Sequence, residues 1–234
     1  MIALLRFSAR LLVLGVAGVL SAAAASDQLV LGFSATAAAP NTGLPKTALG
    51  RGMFLVAGRG LIDPNFSQSV VLLLEYDDNG ALGLIVNRPT DIQLTDLLPE
   101  VEELKDRDDI VYLGGPVSKN HVVVLMRSKQ HPPQAGRIFA DTYVSSNMET
   151  LKQAASMRSD GASFHAFVGY AGWGPGQLDQ EVSRGDWYVS PAEEVMVFDR
   201  APEEIWPELI EKNSGQWVRD AHPRPRLQIA SVHP

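Results

Sequence analysis

Two apolar runs, residues 69–76 and 81–87, flank Asp77-Asp78-Asn79-Gly80, and this arrangement constrains the chain more than any other feature in it. Asn-Gly tolerates the positive φ angles of a tight hairpin turn, so the runs are read as antiparallel neighbours. Val70 to Leu74 and Leu82 to Val86 are nearly continuous in apolar character rather than alternating. Strands of that kind are covered on both faces, so the hairpin is central and other layers must lie over it.

Further strands are expected at residues 53–57, 110–113, 121–126, 137–140, 143–144, 164–170, 187–189 and 194–198. The runs at 110–113 and 121–126 are expected to pair with each other. Pro89 has no N–H and pushes Arg88 out of helical space, so hairpin pairing should stop there. Leu94, Leu97 and Leu98 have helical spacing up to Pro99, and residues 100–109 read as a charged, solvated stretch. Ser146 and Glu149 have capping-box spacing ahead of Leu151, Ala154, Ala155 and Arg158, a helix that Gly161 would end. Pro202 suits a first helical position before Ile205, Trp206, Leu209 and Ile210, up to Gly215, with Pro207 as a kink or a later start. Strands outnumber helices and neighbours look hairpin-like, which indicates a single α+β domain with a mixed or antiparallel sheet.

The ends of the chain read differently. Arg6 and Arg10 precede an apolar stretch, Leu11 to Leu20, and Ala23-Ala24-Ala25 stands before Ser26, the three-part pattern of a secretory signal. Residues 1–25 are therefore expected to be a signal peptide, 26–48 a linker rich in Ala, Thr, Gly and Pro, 49–219 the domain, and 220–234 a mobile tail. Export to the periplasm follows from this reading. A mis-assigned start would instead leave a cytoplasmic protein. The formal charge of −7 opposes binding to phosphate backbones. With no cysteine, disulfides, thiol catalysis, lipoprotein anchoring and Cys-type metal sites are excluded.

The polar chemistry concentrates after residue 164, where an apolar strand meets Gly172-Trp173-Gly174-Pro175-Gly176 and Gln177-Leu178-Asp179-Gln180-Glu181 opens a helix. The turn lacks the third glycine of G-x-G-x-x-G and has no Walker A lysine, so an anion loop is the lesser reading beside a tight turn that places Trp173. Trp187 is expected in the core; Trp173 divides between core and an exposed anchor. Glu181 and Gln177 share a helical face. Glu75 ends an apolar strand and, if covered, needs a partner such as Arg88. The five histidines have no ligand spacing, and His165, opposite Phe164 in strand alternation, is read as a packed, satisfied ring. No metal, cofactor or catalytic set is expected. The binding surface is assigned to Asn87, Arg88, Pro89, Gly114, Gly115, Pro116, Trp173, Gly176, Gln177 and Glu181, for an unknown protein or a small anionic ligand. Trp173 would be the apolar anchor, Arg88 the anion partner, and Gln177 and Glu181 the orienting groups. The rival is an enzyme using Glu75 or Glu181 with Arg88, and a second rival is a transcriptional regulator.

Five separated stretches carry a resemblance: Phe54-Leu55-Val56-Ala57; Asp63-Pro64-Asn65-Phe66 with Ser69-Val70-Val71; Gly83-Leu84-Ile85-Val86-Asn87-Arg88-Pro89; Leu113-Gly114-Gly115-Pro116-Val117; and Gly169-Tyr170-Ala171-Gly172-Trp173 continuing to Gly176-Gln177-Leu178-Asp179-Gln180-Glu181. In this order they resemble the YqgE/AlgH family of bacterial proteins, from about Gly52 to Gly215. Val182 departs conservatively from that family's pattern, and Tyr76 stands where it commonly has a histidine. The resemblance implies an α+β domain with a bifurcated, partly barrel-like sheet. It implies a regulatory label without a recognisable DNA-binding module, and no firm activity. It also implies a cytosolic protein, in conflict with the apparent signal.

Overall fold

The computed structural model describes residues 49–156 and 163–221, with side chains through Asn213. The expected signal peptide and linker, most of the expected tail, and Arg158 and Gly161 lie outside the described residues. Ten strands form one branched sheet: β1 Met53–Ala57, β2 Val70–Asp77, β3 Gly80–Ile85, β4 Pro89–Gln93, β5 Ile110–Leu113, β6 Val117–Arg127, β7 Gly136–Phe139, β8 Thr142–Ser145, β9 Ser163–Trp173 and β10 Trp187–Pro191. Among the described residues five α-helices accompany them: α1 Leu94–Leu97, α2 Met148–Ser156, α3 Gln177–Arg184, α4 Glu194–Phe198 and α5 Pro202–Ala221. The sheet runs β10-β1-β2-β3-β9-β6-β8-β7, with β5 and β4 branching from β9. The fold is α+β, dominated by a mixed sheet whose antiparallel part curls into a half-barrel.

The hairpin lies where the sequence predicts it. Val71 pairs with Ile85 and Leu72 with Leu84, and β2 and β3 are flanked by β1 and β9. Both faces are covered. Phe54, Val56, Val70, Leu72 and Leu84 pack with residues of α4 and α5, whereas Leu55, Val71, Leu73 and Ile85 pack with Trp173, Leu178 and Trp187. Alternate side chains thus enter two different apolar layers, which is why the run shows no alternation. A third cluster joins Val124, Phe164 and Ala166 to Leu94, Leu104 and Leu151 from α1, a 3₁₀ turn and α2. Full burial of each such side chain contributes about 1.5–3 kcal/mol.

The branch point is β9. Ala166 to Val168 pair in parallel with Val111 to Leu113 of β5, and Ala171 to Trp173 pair antiparallel with Ala81 to Gly83 of β3. β6 runs antiparallel along β9 from Ser163 to Val168. Gly114 sits in the fork: its N–H donates to the Val168 carbonyl at 2.9 Å, and its carbonyl accepts from Ile85 N–H at 2.8 Å. A Cβ on Gly114 would stand 2.4 Å from the Gly169 carbonyl oxygen, and one on Gly115 would stand 2.2 Å from the Tyr170 carbonyl carbon. Gly169 has φ +73° and bends β9 at the same place. Only bare backbone fits where the sheet divides.

Several expectations are corrected. β5 and β6 do not pair; the Gly-Gly-Pro passage carries the chain through the fork, and β9 lies between them. Residues 194–198 form α4, since a five-residue apolar run satisfies either period and here Met196 and Val197 are drawn into the core. Hairpin pairing does stop before Pro89, as expected, but Pro89 then opens the edge strand β4, a position where its missing N–H costs no ladder bond. Asn147, rather than Ser146, caps α2, its Oδ1 accepting from Glu149 and Thr150 N–H. α5 starts at Pro202 and continues through Pro207 and past Gly215.

Candidate functional site

The glycine-tryptophan region forms a carboxylate clasp. β9 extends to Trp173, so the turn is reduced to Gly174-Pro175-Gly176 before α3. Gly176 takes φ +69° as the residue before the helix, and Gly185, at φ +85°, closes its other end with an N–H to the Val182 carbonyl. Trp173 and Trp187 thus flank α3, and both indole N–H groups donate to Glu181 Oε2, at 2.8 and 2.9 Å. Gln177, one turn earlier, donates from Nε2 to Glu181 Oε1 at 2.9 Å and accepts Gly174 N–H on its own oxygen at 3.1 Å. Phe66 packs on both rings, 6.1 Å from Trp173 and 5.6 Å from Trp187. Tyr76 donates from its hydroxyl to Asp179 at 2.8 Å, tying α3 to β2, and this bond together with burial raises the phenol's pKa.

This geometry removes Trp173 as an exposed anchor: the ring is 6% exposed and belongs to the core between β1–β3 and α3. The flanking glycines serve the close turn and leave the indole covered. Both oxygens of Glu181 are engaged by three donors, so the carboxylate holds structure together instead of orienting a ligand. The anion-loop reading loses two donors, because Gly174 N–H is taken by Gln177 and Pro175 has none.

The other two loops do meet. The Arg88 carbonyl accepts Leu113 N–H at 2.8 Å, beside Gly114 in the fork. Asn87 closes the same end, accepting Val70 N–H on Oδ1 at 2.8 Å and donating to the Gln68 carbonyl at 3.0 Å. Arg88 is half-buried and donates from Nη2 to the Ser67 carbonyl at 3.0 Å; burial lowers its pKa, with Asp63 acting in opposition. Trp173 pairs with Ala81, four residues along β3 from Ile85, which separates it from these loops by about 13 Å along the strand. Residues 63–69 lie between, with Phe66 against Trp173 and Ser67 against Arg88. The three loops therefore form one pair and a separate clasp. Glu75 pairs with Leu82 near the turn end of the hairpin and is exposed, so the expected Glu75–Arg88 contact does not form.

His165 also departs from expectation. Its ring stacks on Tyr112 at 4.8 Å and touches Phe198 at 5.6 Å, yet Nδ1 is buried without a hydrogen-bond partner. A small cleft of about 200 Å³ lies beside it, lined by Asp108, Asp109, Ile110, Tyr112 and Phe164. Strand alternation placed the ring on the correct face but carries no signal for an unmet nitrogen. Among the described residues no group of three His, Asp or Glu side chains has the arrangement to hold a metal ion.

One surface escaped the sequence reading. Ile92, Leu97 and Ile110 are 48%, 39% and 36% exposed. All three belong to one branch of the sheet: Ile92 is in β4, Ile110 is in β5 opposite Gln93, and Leu97 is in α1, which follows β4 directly. Asp91, Asp96 and Asp108 are exposed around them. A local helical spacing assigned Leu97 to a core; the helix has only four residues, and its Leu94 alone is buried.

The family model described as AlgH-like matches residues 54–218. A UPF0301 protein of Streptomyces coelicolor is 33% identical over 177 residues, covering 74% of this chain and 92% of the relative. A UPF0301 protein of Cupriavidus metallidurans is 38% identical over 165 residues, with 64% and 81% covered. The solution structure of the AlgH protein from Pseudomonas aeruginosa superposes with a TM-score of 0.53 at 30% identity, covering 78% of this chain and 94% of that one. The crystal structure of protein DIP2367 from Corynebacterium diphtheriae, at 23% identity and TM-score 0.61 over 78% and 92% of the two chains, shares the fold. The chain belongs to the AlgH-like (YqgE/AlgH) family.

Proposed function

We propose that the protein is a non-enzymatic binding module for another protein. Its contact surface begins at Asn87-Arg88-Pro89 and Gly114-Gly115-Pro116 and continues along β4, α1 and the start of β5. The carrying observation is that three large apolar side chains, Ile92, Leu97 and Ile110, are exposed on this one branch of the sheet. Apolar side chains grouped on a rigid edge and bordered by polar residues characterise protein contacts. Exposed Pro89 and Pro116 lie at the loop end of the same strip, since Pro89 pairs with Tyr112. The surrounding carboxylates favour a partner with basic groups around an apolar centre over a small anion. Trp173, Gly176, Gln177 and Glu181 support this reading indirectly, by holding the scaffold that presents the strip.

A photo-reactive amino acid placed at position 92 or 97 tests the proposal, with position 149, on the exposed start of α2, as control. The expected result is a cross-linked partner specific to the strip. The captured protein, once purified, should bind at least tenfold more weakly to Ile110→Asp. Equal cross-linking from position 149, or unchanged affinity of a folded Ile110→Asp variant, would refute it.

A further inference from the structure

We infer that His165 is an acid-sensitive latch that holds α4 against the sheet while its imidazole is neutral and releases that contact when the ring takes a proton. The ring occupies the seam between β9 and the end of α4, with Tyr112 of β5 stacked at 4.8 Å and an interplanar angle of 16°, and with Phe198 of α4 at 5.6 Å on another side. Phe167, two residues along β9, completes the aromatic surround at 6.5 Å. Nδ1 is sealed from solvent and has no partner. In the neutral ring with its proton on Nε2, this nitrogen is an unfilled acceptor, a modest cost. In the imidazolium it becomes a charged donor with nothing to receive its hydrogen, and such a group is far more costly to bury.

The charged neighbours do not relieve that cost. Facing the ring from β6 is Arg127, itself a cation, whose two terminal nitrogens donate to both oxygens of Asp199 at 2.6 and 2.9 Å. Asp199 follows α4 directly and is the nearest carboxylate on that side. From the chain before β5 comes Asp109, whose two oxygens are engaged by Arg107. Glu194 of α4 is turned to the Asp141 N–H and the Thr142 hydroxyl, and Glu203 of α5 acts on Tyr112. Asp109, Asp199 and Glu194 are thus already committed to a guanidinium or to backbone and hydroxyl donors, while Asp108, in the cleft beside the ring, and Glu203 are exposed, so water screens their charge. Burial is accordingly the dominant effect on His165 and lowers its pKa, with Asp109 and Asp199 opposing and Arg127 reinforcing.

Relief of the strain at Nδ1 is easiest on the side of α4. β9 is held by ladders on both edges, whereas α4 is five residues long and meets the ring through Phe198. Lifting Phe198 would hydrate the imidazolium, and Met196 and Val197 of the same helix would leave the cluster they share with Phe167 and Leu125. The sign follows from linkage. A histidine whose folded pKa is depressed gives its full support above the unfolded value, near 6.5, and that support is lost as pH falls from there toward the folded value.

The test uses the full chain and two measurements between pH 7.5 and 5. In NMR titration, the His165 ring proton should report a midpoint below that of a histidine in an unstructured reference peptide. In hydrogen-exchange mass spectrometry, corrected for the intrinsic pH dependence of exchange, protection of residues 194–210 should fall by up to about tenfold per pH unit below about pH 6.5. His165→Phe should abolish that fall, while His121→Gln should leave it unchanged. A His165 midpoint at or above that of the reference peptide would overturn the inference even if His165→Phe does not fold. Constant protection in the parent chain, or an equal fall in a folded His165→Phe variant, would overturn it as well.

Discussion

Removing the carboxylate at position 181 should destabilise the domain more than its half-exposed position suggests. Glu181 accepts two indole N–H groups and one amide N–H, and the donors belong to Trp173 at the end of β9, Trp187 at the start of β10, and Gln177 in α3. Hydrogen bonds to a charged acceptor contribute about 1.5–3 kcal/mol each, and a buried donor left unmatched costs about 1–3 kcal/mol. The two indoles are 6% and 3% exposed, so water cannot readily replace the lost acceptor, although the partial exposure of the carboxylate keeps the total below the simple sum. Glu181→Ala is therefore expected to cost about 3–5 kcal/mol. For a domain of this size that lowers Tm by about 6–20 °C. Glu181→Gln retains one acceptor oxygen but turns an amide NH₂ toward the Gln177 donor, for a smaller loss of about 1–2 kcal/mol. Urea unfolding followed by far-ultraviolet circular dichroism, with calorimetry as a second readout, measures both. In a double-mutant cycle, Glu181→Ala with Trp187→Phe should show a coupling of about 1–2 kcal/mol. A loss below about 1 kcal/mol for Glu181→Ala, or strictly additive effects, would refute the clasp.

Three further outcomes follow from the geometry. Gly114→Ala forces a Cβ to 2.4 Å from the Gly169 carbonyl oxygen and should abolish soluble folded protein; Gly176→Ala, with open space around its Cβ but φ +69°, should cost only about 1–2 kcal/mol by denaturant titration. Asn87→Ala leaves Val70 N–H without its acceptor at the edge of the core and should lower stability by about 1–3 kcal/mol, while Asn87→Asp, which keeps the acceptor oxygen, should lose less. Phe167→Ala opens a void where β9 meets α4 and α5 and should cost about 3–5 kcal/mol, read from the urea midpoint at unchanged m-value.

How legible the candidate site was depended on how local its physics is. The Asn79-Gly80 turn, the doubly covered strands around it and the start of α5 at Pro202 were readable because turn chemistry and apolar runs act over a few residues. Residues 194–198 were read as a strand because five apolar positions do not distinguish the two periods; packing under Phe198 decided in favour of helix. Trp173 stayed divided between core and exposed anchor because glycines surround it in sequence, whereas Phe66 and Trp187, distant along the chain, close over it. The strip at Ile92, Leu97 and Ile110 was missed because it joins a strand, a four-residue helix and a second strand separated by a charged stretch.

The amino-acid order by itself therefore determined the central hairpin, the acidic charge balance and the absence of thiol chemistry, all of which are properties of single residues or near neighbours. Tertiary structure alone decided that β9 separates β5 from β6, that one carboxylate gathers two indoles, that Arg88 turns to Ser67 and away from Glu75, and that a nitrogen of His165 is left without a partner. These outcomes depend on which segments, far apart along the chain, compete for the same strand edge or the same hydrogen-bonding atom, and that competition is settled only when the sheet closes.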